Sequence, residues 1–126
     1  MIKVPAFLDL HTHTRYPDKS FFPAKDIEKS ALNGGYSDIL AMPNSEIVID
    51  DIESLNYAIE IDSSLNLNVH RVGALSKNLN GKELVDFKSF IKNGITIFSD
   101  DGKSLIEDSL ADEAFKIVAE LGGAIF

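Results

Sequence analysis

Apolar segments alternate with helical patterns along this 126-residue chain, and that alternation constrains its fold more than any other feature. Five apolar or β-branched runs bounded by turn residues are predicted to be strands, at 6–10, 38–42, 67–74, 95–98 and 124–126. Helical periodicity separates them at 23–32, 51–63, 81–92 and 110–121. The order β-α-β-α-β-α-β-α-β, with a strand beginning about every 30 residues, is typical of βα units in a parallel sheet.

The predicted fold class is therefore α/β, a partial TIM-type (β/α) barrel with about four βα units and the start of a fifth strand. A complete eight-unit barrel usually needs roughly 200–250 residues, so the 126 residues present suffice for about half of one. The chain also stops inside an apolar run. We therefore interpret residues 1–126 as a single domain that is incomplete by itself.

Charge and composition narrow the range of partners. Twelve Lys and Arg stand against 20 Asp and Glu, a net charge of −8 that repels phosphate backbones, so no nucleic acid partner is expected. The absence of Cys excludes a disulfide framework and a Cys-ligated zinc site. The sequence has no apolar run of transmembrane length and no signal-peptide pattern, which favours a cytoplasmic protein without membrane contact.

The sharpest local feature is a pair of histidines, His11 and His13, at the end of the first predicted strand. Side chains at i and i+2 on a strand point the same way, so the pair can present two imidazoles to one divalent metal. Neutral imidazole suits zinc and other borderline first-row metals. A coincidental pairing is the weaker interpretation, because the chain has only three His. The third, His70, lies within a predicted strand and is interpreted as a packing or edge residue.

Other polar residues follow the predicted strands. Arg15 is suited to bidentate capture of a carboxylate or phosphate, although a solvated surface Arg is the simpler interpretation. Asn44 follows a Pro that ends the second strand, and it offers both a donor and an acceptor. The fourth strand leads into Asp100 and Asp101, where one carboxylate could ligate a metal or the pair could form a tight turn. The carboxyl ends of strands are where parallel α/β folds place active sites.

Four segments together resemble dihydroorotases of the amidohydrolase superfamily. They are PAFLDLHTHTR, ALNGGYSDILAMPNSEIVID, FKSFIKNGITIFSDDG and LADEAFKIVAELGGAIF, which span nearly the whole chain. The His-x-His pair alone indicates only a metal-dependent hydrolase, whereas its combination with Ala-Met-Pro-Asn and Phe-Ser-Asp-Asp-Gly is far more specific. The resemblance implies that residues 1–126 form the N-terminal half of a metal-dependent amidohydrolase barrel.

The resemblance also implies roles for individual residues. His11 and His13 would ligate one or two zinc ions, with Asp101 as a further ligand and Asp100 as the next candidate. Arg15 and Asn44 would hold the carboxylate of a small-molecule substrate. The implied activity is reversible hydrolysis of the cyclic amide of (S)-dihydroorotate to N-carbamoyl-L-aspartate, in de novo pyrimidine biosynthesis.

The sequence departs from the family pattern in two places. Family members commonly continue His-x-His-x-Arg with Glu-Pro-Gly, whereas this chain has Tyr16, Pro17 and Asp18, which puts the shape of that loop in doubt. The family's later ligating histidines and its catalytic aspartate follow strands beyond the end of this chain. We therefore assign no catalytic residue here, and we expect the isolated chain to be an inactive fragment.

Alternative interpretations stay open. PHP-type metal-dependent phosphoesterases share the Asp-Leu-His-Thr-His-Thr start, but they place an Asp-His pair where Asn44 and its neighbours stand. Hydantoinases and allantoinases share the barrel and the His pair, but they generally use a bridging lysine. A non-catalytic homologue acting as a partner subunit, for example of aspartate transcarbamoylase, is the remaining alternative. Because half a barrel leaves unpaired edge strands, we expect a homo-oligomer or part of a longer chain.

Overall fold

The computed structural model describes residues 5–17 and 24–126. Its strands are β1 (Phe7–Thr12), β2 (Tyr36–Ala41), β3 (Asn68–Arg71), β4 (Ile97–Phe98) and β5 (Ala124–Ile125). Its helices are α1 (Ala24–Asn33), α2 (Ile52–Asp62), α3 (Phe87–Lys92) and α4 (Asp108–Glu120). Strands and helices alternate as predicted, and the α/β class is confirmed. Residue 23 of the first predicted helix and Asp18 lie outside the described residues.

All strand pairings in the described ranges are parallel. Strands β1, β2 and β3 form one sheet in that order, and β4 pairs with β5. A parallel bridge between Gly73 and Phe98 joins the two sheets. A Cβ at Gly73 would lie 3.0 Å from the Phe98 ring, so the small size of glycine favours this close approach. The carboxyl ends of β1, β2 and β4 therefore face one edge of the array.

The main core lies between the strands and the helices that cover them. The Phe98 ring, which is fully buried, meets Phe87 at 4.9 Å and Phe90 at 5.9 Å between centroids, both in edge-to-face geometry. Leu55 of α2 and Val118 of α4 belong to the same buried cluster. Helices α2, α3 and α4 thus bury one face of the array against a single apolar core.

The opposite face carries a smaller cluster of Leu40, Met42 and Val72, against which Ile97 packs. Side chains alternate along a strand, so Leu40 points away from the neighbouring Ile39 and from the helix layer. Strand β1 is much less covered, since Leu8 and Leu10 remain 50% and 57% exposed. This face is closed in the middle of the array and open at β1.

The predicted third helix, 81–92, is wrong in its first half. Helix α3 begins only at Phe87, because the segment before it folds back on itself through a bridge between Ser76 and Leu84. Gly81 has a φ of 71°, and a Cβ there would lie 2.4 Å from the Ser104 carbonyl oxygen. A side chain or a helical backbone at residue 81 is therefore excluded.

No helix in the described parts of the chain is long and apolar enough to cross a bilayer.

Candidate metal centre

Three loops at the carboxyl edge of the strands bring four of the sequence-predicted residues together. His11 and His13 come from the end of β1, Asn44 from the loop after β2, and Asp101 from the turn after β4. The His11 and His13 rings lie 5.1 Å apart between centroids. The β1–β2 register is irregular between Asp9 and Thr12, in the part of the strand that carries His11.

Asp101 faces both histidines. Its Oδ1 lies 2.9 Å from Nε2 of His11, and its Oδ2 lies 3.9 Å from Nε2 of His13. One ligand atom from each residue falls within 4.8 Å of the other two. Two imidazole nitrogens and a carboxylate oxygen are ligands that zinc accepts, so this donor set fits a zinc ion. The geometry thus offers a possible His-His-Asp metal site.

Asn44 links His13 to Asp101. Its Nδ2 donates to Asp101 Oδ2 at 2.6 Å, and its Oδ1 lies 2.9 Å from Nδ1 of His13. An ionised carboxylate only accepts hydrogen bonds, so the amide nitrogen must face Asp101 and the amide oxygen must face His13. His13 then donates from Nδ1, which in the neutral ring leaves the Nε2 lone pair for a metal. Asn44 therefore orients two of the three candidate ligands.

Asp100 and Asp101 are adjacent but have different surroundings. Asp100 is buried, and its Oδ1 accepts from the backbone N–H groups of Leu75 and Ser76 at 2.8 and 3.0 Å. The Ser76 hydroxyl donates to its other oxygen. Asp101 has a left-handed φ of 53°, which turns its carboxylate toward His11. The structure thus places Asp101 beside the histidines, while Asp100 ties the turn to the segment after β3.

Arg15 is exposed, and its backbone is left-handed with a φ of 63°. No hydrogen bond or ion pair joins it to another residue within 5–17 or 24–126. Its assignment to a substrate carboxylate therefore stays a prediction. His70 lies outside the cluster, where its Nε2 is 2.9 Å from Asp38 Oδ1. It lies on β3, an outer strand of the β1-β2-β3 sheet, which agrees with its interpretation as an edge residue.

A buried polar network behind the cluster was missed by sequence reasoning. The Arg71 side chain on β3 is 1% exposed, and its Nε and Nη2 donate to Asp62 at 2.8 and 2.7 Å. The Tyr16 hydroxyl also donates to Asp62, at 2.9 Å, and its ring lies 4.7 Å from the guanidinium. Burial, followed by the charge of Asp62, raises the pKa of Tyr16 well above its ordinary value. The sequence signal that could have revealed this network is Arg71, a charged residue within the predicted strand 67–74.

Comparison with known proteins identifies the family. The family model described as dihydro-orotase-like matches residues 1–126. The chain is 35% identical over 120 residues to a dihydroorotase of Clostridium acetobutylicum, which covers 93% of this chain and 28% of that protein. It is 33% identical over 126 residues to a dihydroorotase of Aquifex aeolicus, covering 97% and 29%.

A dihydroorotase of Clostridioides difficile is 35% identical over 123 residues, which covers 95% of this chain and 29% of that protein. The chain thus spans less than a third of the length of the curated relatives it matches. The family model, in contrast, matches it from end to end. With its parallel α/β fold, and with two His and an Asp meeting at the carboxyl edge of the strands, the chain belongs to the dihydro-orotase-like family.

Proposed function

We propose that this chain supplies the first part of the zinc site and of the substrate clamp of a dihydroorotase-type cyclic amidohydrolase. The observation that carries the proposal is the convergence of His11, His13 and Asp101, whose ligand atoms lie within 4.8 Å of one another. His11 and Asp101 are 90 positions apart in the sequence, so proximity along the chain does not explain why their side chains meet. In this proposal residues 1–126 are one domain, about four βα units of a barrel and the start of a fifth strand.

The proposed reaction is the reversible hydrolysis of (S)-dihydroorotate to N-carbamoyl-L-aspartate, a step of pyrimidine biosynthesis. Zinc, when bound, supplies Lewis-acid activation of water and of the ring carbonyl. His11, His13 and Asp101 would hold one or two ions. Their carboxylate and imidazole groups already face one another, so little rearrangement of the side chains is needed to present them to a cation.

Arg15 and Asn44 would bind the substrate carboxylate. Arg15 is exposed and its guanidinium can form two parallel hydrogen bonds to a carboxylate. Asn44 uses one amide N–H for Asp101, and its NH₂ group has a second N–H to donate. Holding the ring by its carboxylate converts binding into orientation of the reacting carbonyl. The acid that protonates the leaving nitrogen is assigned to no residue of this chain.

The exposed apolar side chains of β1 favour association with further protein. Leu8 and Leu10 are each at least half exposed on a strand that pairs on one side, with β2, in the described part of the chain. Edge strands and uncovered apolar faces favour pairing with additional polypeptide. A second copy of the chain is the partner to test first, by light scattering. A non-catalytic role as a partner subunit is the second candidate function that this surface favours.

Zinc binding tests the proposal directly. We expect the chain to bind zinc, and the double variant His11→Ala/His13→Ala to lose that binding. His70→Ala is the matched control, because His70 lies outside the cluster and should leave zinc affinity unchanged. Isothermal titration with zinc measures both. Equal affinity in the wild type and the double variant would contradict the proposed site.

The substrate class needs a separate measurement. We expect the zinc-loaded chain to bind dihydroorotate or N-carbamoyl-aspartate, and Arg15→Gln to weaken that binding by about tenfold, the usual order for a charge-assisted pair. A phosphomonoester is the competing ligand. Preference for the phosphomonoester would favour the phosphoesterase alternative, while zinc binding without affinity for either ligand would favour a non-catalytic homologue.

A further inference from the structure

The segment that follows β1 is packed on both sides of Arg15, although Arg15 itself is exposed. Thr14 is 1% exposed and Tyr16 is 4% exposed. Arg15 between them has a φ of 63°, a left-handed conformation that a long side chain rarely adopts. Such a conformation persists only where the surroundings determine it. The surroundings of Tyr16 are therefore the place to look for what holds Arg15.

The Tyr16 backbone carbonyl is the meeting point of three donors. It accepts from Ser45 Oγ at 3.0 Å, from Thr14 Oγ1 at 3.2 Å and from Arg71 Nη1 at 3.3 Å. On the next residue, the Pro17 carbonyl accepts from the Ile47 N–H at 3.2 Å. These contacts join the loop after β1 to the loop after β2 and to β3.

Arg71 is the residue that unites these contacts. Two of its nitrogens engage both oxygens of Asp62, at 2.7 and 2.8 Å, and its third nitrogen reaches the Tyr16 carbonyl. The guanidinium carbon also lies over the Tyr16 ring, 4.7 Å from its centroid. A Lys has one ammonium group and cannot form this forked arrangement. Asp62 receives the Tyr16 hydroxyl as well, so Tyr16 is held through its ring, its hydroxyl and its carbonyl.

A largely buried ion pair such as Arg71–Asp62 contributes little net stability to a fold. Removing an Arg and an Asp from water is costly, and apolar residues of similar volume often stabilise a protein equally well. The pair here has a geometric consequence instead, because it sets the position of the residue next to Arg15. The structure otherwise gives Arg15 no hydrogen bond or ion pair within the described ranges that would define its place.

We propose that Arg71, together with Asp62, is a positioning residue that holds Tyr16 and thereby sets the left-handed backbone of Arg15 in the substrate clamp. The role in the clamp rests on the proposed function, whereas the control of the Arg15 backbone does not. Arg71 itself touches neither the His-His-Asp cluster nor a substrate. Its effect passes through Tyr16.

The test compares two proteins in a Tyr16→Phe background, which removes the hydroxyl that would otherwise lose its partner. One carries Tyr16→Phe alone. The other carries Tyr16→Phe with Asp62→Leu and Arg71→Met, which removes the buried charge of Arg71 and the partly buried charge of Asp62 with little change in volume. This triple variant is called the charge-free variant because it lacks both charges of the pair. Trypsin cleavage is followed by mass spectrometry at Arg15, at Lys103 in an exposed loop and at Lys116 in α4. The melting temperature of each protein is measured in parallel.

We expect cleavage after Arg15 to rise about tenfold or more in the charge-free variant, as local opening becomes easier. Cleavage at Lys103 and Lys116 should change less than about twofold, and the melting temperature should change little. Unchanged cleavage after Arg15 would overturn the proposal. An equal rise at all three sites would also overturn it, because it would show only a general loss of stability.

A second measurement separates this inference from the proposed function. If the zinc-loaded chain binds N-carbamoyl-aspartate, the charge-free variant should lose about as much affinity as Arg15→Gln, while zinc affinity stays within about threefold. Loss of zinc affinity in parallel would contradict a role confined to Arg15. If the parent chain binds no ligand, the proposed substrate is wrong, and the cleavage ratio still decides whether Arg71 positions the Arg15 backbone.

Discussion

The turn after β4 carries two adjacent carboxylates, Asp100 and Asp101, that make different contacts. Asp100 is buried and receives two backbone N–H groups and a hydroxyl from the segment after β3. Asp101 is partly exposed, and it faces His11 and His13. A carboxylate whose oxygens are occupied by protein donors is a structural tie, whereas one that faces imidazoles is available to a cation. The two neighbouring aspartates therefore differ in burial, in backbone conformation and in the groups that surround their carboxylates.

Replacing Asp100 should produce the largest effect on folding. Asp100→Ala leaves the buried N–H groups of Leu75 and Ser76 without an acceptor, and we expect it to lower the free energy of unfolding by about 3 kcal/mol or more. Urea denaturation followed by circular dichroism measures the change. Asp101→Ala serves as the comparison and should cost less than about 1 kcal/mol. Similar losses in the two variants would erase the distinction between the carboxylates.

Replacing Asp101 should have the largest effect on the metal. We expect Asp101→Ala to weaken zinc binding by about 100-fold or more, because loss of a direct ligand should exceed the 10–100-fold typical of outer partners. Isothermal titration gives the affinity. Asp112→Ala, which removes an exposed carboxylate of α4, controls for the change in net charge. Equal zinc affinities in Asp101→Ala and Asp112→Ala would remove Asp101 from the site.

Removing Asn44 should have an intermediate effect. Asn44→Ala frees His13 and Asp101 to rotate, and we expect zinc affinity to fall about tenfold, as for other residues that orient a ligand. The free energy of unfolding should change little, because Asn44 is only partly buried. Titration of the variant and of the wild type under the same conditions measures the difference. An unchanged affinity would show that Asn44 does not act through the two ligands.

Asp51 offers the smallest effect and a dependence on pH. It caps α2 by accepting from the Ser54 N–H at 2.8 Å, and that hydrogen bond lowers the pKa of Asp51 below its ordinary value. Asp51→Ala should lower the free energy of unfolding by about 1 kcal/mol near neutral pH. The group binds its proton less readily when folded, so its contribution is complete above pH 3.8 and disappears as pH falls through the lower folded pKa.

The pH dependence of this cap is measured by comparing wild type and Asp51→Ala. The difference in their free energies of unfolding should be constant from about pH 7 to pH 5 and should shrink below pH 3.8. A difference that grows as the solution becomes more acidic has the opposite sign and would contradict the assigned pKa direction.

Local patterns predicted the elements better than their bounds. The alternation of strands and helices was readable because apolar periodicity and Gly or Asn stops are local properties. The start of α3 could not be predicted in this way. Residues 81–84 show helical periodicity, but Leu84 forms an antiparallel bridge with Ser76. Here a tertiary pairing overrides local propensity, and the left-handed Gly81 makes the fold-back possible.

The candidate site divides in the same way. The spacing of His11 and His13 predicted a metal pair from the i, i+2 relation of a strand. The two rings do lie 5.1 Å apart, although β1 ends at Thr12 and His13 follows it. Whether Asp100 or Asp101 joins them depends on a turn whose left-handed residue is not marked by a glycine. The role of Asn44 between His13 and Asp101 depends on three separate loops meeting.

By itself the sequence determined the α/β class, the family and the edge of the sheet where polar residues gather, since periodicity and short motifs act over a few residues. Only the tertiary structure decided which aspartate faces the histidines and that Arg71 reaches Tyr16. Both outcomes depend on contacts between residues more than 50 positions apart. Such contacts follow from how strands pair and helices pack, which no single segment encodes.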